Sequence, residues 1–138
     1  LWISWDEKHV CGSVLINCNS LNNICPNFLA FSNYLAWGAP DDLNTLMAMV
    51  NNIPDGWTFS AFGLGRHQMP MVAASVLAGG NVRVGLEDNL MLDRGVLAQN
   101  YQLVDRAVSL IENLGARVIG PAEVREKLGL VKRAPVGK

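Results

Sequence analysis

The 138-residue chain reads as an α/β protein built from parallel βα units, on three observations. Short apolar runs flanked by glycine and proline alternate with amphipathic stretches of helical period. No two runs are joined by a hairpin signal, and the runs are too apolar to leave a face in water. Such alternation implies parallel strands joined by crossovers. Strands of this composition are covered on both faces, as in a doubly wound sheet or a barrel.

Residues 10–25 mix asparagines and serines with apolar residues, and their periodicity suits neither helix nor strand; residues 1–25 are expected to be an irregular or disordered leader. After Pro26, the run Phe28, Leu29, Ala30 and Phe31 suits a strand buried on both faces, ended by a loop at Trp37 and Gly38. Asp41 or Asp42 then caps a helix with Leu43, Leu46, Met47 and Val50 at helical spacing, stopped by Pro54, Asp55 and Gly56. Residues 57–65 alternate bulky and small side chains as a second strand. Pro70 suits the first turn of a helix over 70–78, which Gly79 and Gly80 terminate. The third strand is 81–86 and a loop follows over 89–100. Leu103, Val104, Ala107, Val108, Ile111 and Leu114 make one apolar helix face, and Gly115 stops it. Pro121 opens a last helix over 121–130. Met47, Met49, Met69 and Met71 read as core filler.

Composition excludes several functions. Charged residues are 17% of the chain and the net charge is -1, so neither a nucleic acid nor an anionic membrane is an expected partner. No apolar run reaches the ~18 residues of a membrane span, and no secretory signal is recognisable. Cys11, Cys18 and Cys25 form no C-x-x-C pair and read as buried free thiols, which fits a cytoplasmic location. His9 and Cys11 have H-x-C spacing, but nothing nearby completes a metal site. The chain begins with Leu1, which leaves open processing or a longer parent.

In parallel α/β proteins, ligands meet the carboxyl ends of the strands. That rule selects the Trp37 loop, residues 63–68, and Arg83 with Glu87 and Asp88. A two-residue period puts Arg83, Gly85 and Glu87 on one strand face, where buried charges must meet a ligand, a metal or each other. Gly85 leaves room for a ligand to approach. An Arg83–Glu87 ion pair, with Asp88 capping a turn, satisfies the same spacing, and both readings stay open. In "GLGRHQMP" the glycines precede a helix start, where amide groups receive anions, and Arg66 adds a forked donor. The alternative is a tight turn with an exposed arginine. His67, without a second histidine nearby, is expected to be structural.

The stretches "GRHQMP" and "GGNVRVGLEDN", within a match spanning 26–130, resemble the β-keto acid cleavage enzymes, the group that includes 3-keto-5-aminohexanoate cleavage enzyme of lysine fermentation. The resemblance implies that residues 26–138 are the C-terminal part of a TIM (β/α)8 barrel, with 1–25 a poorly matching leader. It implies Zn2+ as cofactor and a transferase reaction, in which a 3-keto acid and acetyl-CoA become acetoacetate and an acyl-CoA. It makes Glu87 the metal-ligating carboxylate and Asp88 the general base. Arg83 becomes a catalytic anchor for the acidic substrate, and Gly65, Arg66, Gln68 and Asn89 substrate- or CoA-binding residues.

The family's H-x-H metal ligands are absent, since the only histidines are His9 and His67, and a full barrel needs about 250 residues. The expectation is a fragment inactive on its own, with strand edges that favour a homo-oligomer or a partner chain. Two further functions stay open: an anion- or nucleotide-binding α/β module, and a subunit that completes a barrel with another chain.

Overall fold

The computed structural model describes residues 39–130 in full and, of the rest, the strand backbone of 2–6, 9–12 and 27–31. Among the described residues eight strands are assigned: β1 (Trp2–Asp6), β2 (His9–Gly12), β3 (Asn27–Phe31), β4 (Phe59–Gly63), β5 (Asn81–Arg83), β6 (Met91–Asp93), β7 (Val96–Leu97) and β8 (Val118–Ile119). The helices are α1 (Leu43–Val50), α2 (Gln68–Leu77), α3 (Asn100–Asn113) and α4 (Pro121–Lys127). One sheet has the order β3-β4-β5-β1-β2-β8, and β6 and β7 form a separate hairpin.

The expected parallel βα units are present. β3 pairs with β4 in parallel from Asn27↔Phe59 to Phe31↔Gly63, and β4 pairs with β5 in parallel at Ser60↔Asn81 and Ala61↔Val82. α1 and α2 make the two connections. Among the described residues the sheet is open, with β3 and β8 at its edges.

Register decides what each face carries. Phe59 and Ala61 of β4 pack with Leu46 of α1 and with Met71 and Ala74 of α2. Val82 and Val84 pack with Val72 and Val76 of α2 and with Ala107 and Ile111 of α3. The intervening residues therefore project from the other face, and there Arg83 stacks over the Phe62 ring, its Cζ 4.8 Å from the centroid.

Several expectations need correction. The chain does contain hairpins: β1 runs antiparallel to β2 and also to β5, and β6 runs antiparallel to β7 inside the segment expected to be a loop. Gly95, at φ 77°, supplies the left-handed position its turn requires. Two strands also lie within the stretch expected to be an irregular leader. β5 ends at Arg83 rather than at residue 86, because the Gly85 carbonyl accepts from the amides of Asp88 and Asn89 and turns the chain away from the ladder. Strand β8 is two residues long and has no readable periodicity.

The helices follow their caps. Asp42 accepts from the Thr45 amide at 2.9 Å and from its hydroxyl at 2.7 Å, and these bonds hold its carboxyl pKa below the ordinary value. α1 buries Leu46 fully, but Leu43 and Met47 are exposed, four residues apart on the outward face, so Met47 is not core filler. α2 begins at Gln68, two residues before Pro70, and Gly79 at φ 82° follows its end. Leu103, Ala107 and Ile111 form the buried stripe of α3, whereas Leu114 is exposed. The readings of the three cysteines, of His9 and of the Trp37 loop concern side chains outside the described residues.

Candidate active site

Three segments converge beyond the carboxyl ends of β4 and β5. The first is a 3-10 turn, Gly65–His67, leading into α2. Gly63 makes its tight start possible, since a Cβ there would stand 2.5 Å from the His67 carbonyl oxygen. Gly65 adopts φ 57° and donates its amide to the Asp88 carbonyl at 2.7 Å, tying this turn to the loop after β5. Gln68 reinforces the tie. It is fully buried, and its Nε2 donates to the Gly85 carbonyl at 3.1 Å, while its Oε1 has no hydrogen-bond partner among the described residues.

The second segment carries the charges. Arg83 lies with Nη2 2.5 Å from Glu87 Oε2 and Nε 2.8 Å from Asp88 Oδ2. The partners are unequal: the Glu87 side chain is 83% exposed and that of Asp88 only 4%. Burial pushes the Asp88 pKa above the ordinary carboxylate value; Arg83 opposes this without cancelling it. Asp88 Oδ2 meets no hydrogen-bond geometry despite the short approach to Arg83. We read the contact as an ion pair of imperfect alignment, because two opposite charges at that distance attract whatever their angle. Of the two readings the spacing left open, the ion pair between Arg83 and Glu87 is formed, with Asp88 joining it.

The third segment is the β6–β7 hairpin. Arg106 of α3 holds it from behind, donating to the Leu92 carbonyl and, at 3.1 Å, to Asp93 Oδ2. Asn89 links it to the loop: its Nδ2 donates to the Met91 carbonyl at 2.7 Å and its Oδ1 accepts from the Met91 amide at 3.0 Å.

Between these segments lies a groove of about 1200 Å³. Gly65, Arg66, Glu87, Asp88 and Asn89 line it, as do Arg94 and Arg106, which the sequence reading missed. Gln68 and Arg83 are not among its lining residues. The signal for Arg106 was its position on the polar side of α3, but its link to a hairpin 13 and 14 residues away has no sequence period. The arrangement offers a buried carboxyl able to take a proton, guanidinium groups able to hold oxyanions, and an apolar wall from Met69, Leu86 and Leu90. Among the described residues, no group of three or more His, Cys, Asp or Glu side chains is placed to hold a metal ion. Among them, too, no helix is long and apolar enough to cross a membrane.

Known proteins are similar to this chain. A family model described as beta-keto acid cleavage enzyme matches residues 21–130. The chain is 56% identical over 129 residues to 3-dehydrocarnitine:acetyl-CoA trimethylamine transferase of Rhizobium meliloti (strain 1021), covering 94% of this chain and 41% of that protein. It is 46% identical over 88 residues to 3-keto-5-aminohexanoate cleavage enzyme of Fusobacterium nucleatum, covering 63% of this chain and 32% of the relative. With 3-oxoadipate:acetyl-CoA acetyltransferase of Cupriavidus necator the identity is 42% over 96 residues, covering 66% and 34%. The chain thus spans well under half the length of these relatives. On a match that includes both the "GRHQMP" turn and the Arg83, Glu87 and Asp88 cluster, the chain belongs to the beta-keto acid cleavage enzyme family.

Proposed function

We propose that the chain supplies one wall of an active site that cleaves a 3-keto acid at the expense of acetyl-CoA, releasing acetoacetate and a new acyl-CoA. Asp88 moves the proton: a carboxyl held above its ordinary pKa by burial stays basic enough to accept a proton and acidic enough to return it. Arg83 keeps that carboxylate in place through its Nε and, from outside the groove lining, adds positive potential for the acidic substrate. Gly65, Arg66 and Asn89 form the rim for substrate or coenzyme A, with Gln68 supporting the rim through its bond to the Gly85 carbonyl.

The observation that carries this reading is the buried Asp88 carboxyl at the groove, ion-paired to Arg83, in a chain of this family. Asp88→Asn in an enzyme assembled from this chain and the remainder of the Rhizobium meliloti relative should lower kcat by about 10²-fold or more with KM little changed. Suitable substrates are 3-dehydrocarnitine and 3-oxoadipate, for which two of the relatives are named. Acetoacetate release at the wild-type rate in that variant would remove Asp88 from the chemistry.

Zinc, which the family resemblance implies, finds too few donors among the described residues. The Glu87 carboxylate engages Arg83, and no third donor joins it and Asp88. These residues do not by themselves fit the ion. Glu87, exposed at the groove, is the one carboxylate the chain would lend to a metal completed by other parts of the enzyme.

The same reading makes residues 26–138 the last βα units of a TIM barrel, with 1–25 a leader whose strands β1 and β2 join its sheet, working in the cytoplasm as an oligomer or with a partner chain. A second reading, an anion-binding module, draws on Arg66, Arg94 and Arg106 lining one groove. Binding of inorganic phosphate by the isolated chain, unaffected by 3-keto acids, would favour it.

A further inference from the structure

Arg66 is held from a side that the groove chemistry does not use. Asp41 lies in the connection that follows β3, and His67 in the turn that follows β4. The two meet with His67 Nδ1 2.6 Å from Asp41 Oδ2, the carboxyl almost wholly buried and the imidazole about a quarter exposed. On the other side of the ring, Arg66 Nε donates to His67 Nε2 at 2.9 Å.

These two contacts give the two ring nitrogens different partners. A guanidinium can only donate, so Nε2 carries a lone pair. Nδ1 faces Asp41 Oδ2, a contact that is within ion-pair distance but, like that between Arg83 and Asp88, does not meet hydrogen-bond geometry among the described residues. The ring thus turns Nε2 to Arg66 as acceptor and Nδ1 to a carboxylate, the orientation that histidines of functional sites commonly have. His67 and Asp41 open onto a separate hollow of about 360 Å³ and do not line the large groove, whereas Arg66 does. Among the described contacts, the bond from Arg66 is what links His67 to the groove.

We propose that Asp41 and His67 form a positioning relay that presets the Arg66 side chain to receive the oxyanion of a groove ligand, either the carboxylate of the 3-keto acid or a phosphate of coenzyme A. Arginine is a flexible side chain whose rotamer freedom is lost on binding, and a partner that holds its Nε beforehand removes part of that loss. The relay also joins two consecutive βα connections, so the rim is braced across β3 and β4. The ligand half of this inference rests on the function proposed above, while the tautomer and the bracing do not.

The test uses the full chain labelled with 15N-histidine. At neutral pH the His67 signals should report the Nδ1–H tautomer, and Arg66→Ala should relax them towards a tautomer mixture. Binding is then measured separately for acetoacetate and for coenzyme A. His67→Asn puts an amide N–H near the place of Nδ1, facing Asp41, while removing the acceptor for Arg66. His67→Gln puts a carbonyl near the place of Nε2 and keeps that acceptor.

Binding of one probe should fall about tenfold in both Arg66→Ala and His67→Asn, and stay near the wild-type value in His67→Gln. Loss confined to acetoacetate identifies the carboxylate as the oxyanion, and loss confined to coenzyme A identifies the phosphate. An Nε2–H tautomer in the wild type overturns the relay. So does His67→Asn binding like wild type while Arg66→Ala does not, and in that case the groove still binds its ligand. If neither probe binds the wild type, the groove function falls and takes the ligand half with it.

Discussion

Arg83 serves two carboxylates that differ in what they depend on it for. Glu87 is exposed and its pair with Arg83 is of the surface kind, worth about 0–1 kcal/mol, so Glu87→Gln should leave chemical denaturation nearly unchanged. Asp88 is buried, and Arg83→Gln strips its counter-charge. Discounted for the fifth of the Arg83 side chain that is exposed, the loss should be about 2 kcal/mol in a urea titration at pH 7. The pH dependence has a definite sign. Because the folded pKa of Asp88 is raised, mainly by burial, its protonated form favours the fold. That stabilisation is complete below the unfolded carboxylate pKa of about 4 and is lost as pH rises through the raised folded value. Asp88→Asn does not titrate, so its stability relative to wild type should improve as pH rises through that window, as urea midpoints at several pH values would show. At this scale the sequence was informative where neighbours are close along the chain: the alternation of Arg83, Gly85 and Glu87 flagged both an ion pair and a site. It was silent where they are distant. Gln68 bonds to a carbonyl 17 residues away, and no spacing rule reaches that far.

Among the elements, the turn after β4 is the most constrained. Gly63→Ala would drive a methyl group against the His67 carbonyl, a backbone atom that cannot step aside without moving the turn. The expected cost is about 2 kcal/mol, seen as an earlier unfolding midpoint, since overpacking of this kind runs to a few kcal/mol. The β6–β7 hairpin sits at the other extreme, with exposed side chains along both strands and Arg106 as its clasp. Arg106→Ala should raise amide hydrogen exchange through residues 91–97 while leaving the buried face of α3 protected. The contrast accounts for what sequence reading recovered. Helices α1, α2 and α3 announce themselves through caps, period and glycine stops, and β3 and β4 through apolar runs. A three-residue strand paired with a two-residue one gives period-2 patterning too few positions to register, which is why that hairpin read as a loop. Hairpin β1–β2 was missed for a related reason, because its neighbour in the sheet is set by long-range pairing with β5.

At the scale of the whole molecule, the open sheet and the apolar surface tell the same story as the relatives' lengths. β3 and β8 are edges among the described residues, and Leu90, Val96, Leu97 and Tyr101 lie exposed around the hairpin. Unpaired edges and clustered apolar side chains favour association. Sedimentation velocity of the isolated chain should therefore show mass rising with concentration, and a monomer at all concentrations would argue against it. The central claim is that this chain carries the base and anchor of a β-keto acid cleavage site but not its opposite wall. The most direct measurement is acetoacetate release from 3-dehydrocarnitine and acetyl-CoA, by the chain alone and by the chain combined with the part of the Rhizobium meliloti relative that it does not span. The account predicts no turnover alone and Asp88-dependent turnover in combination; turnover by the chain alone, or none in a folded combination, would contradict it.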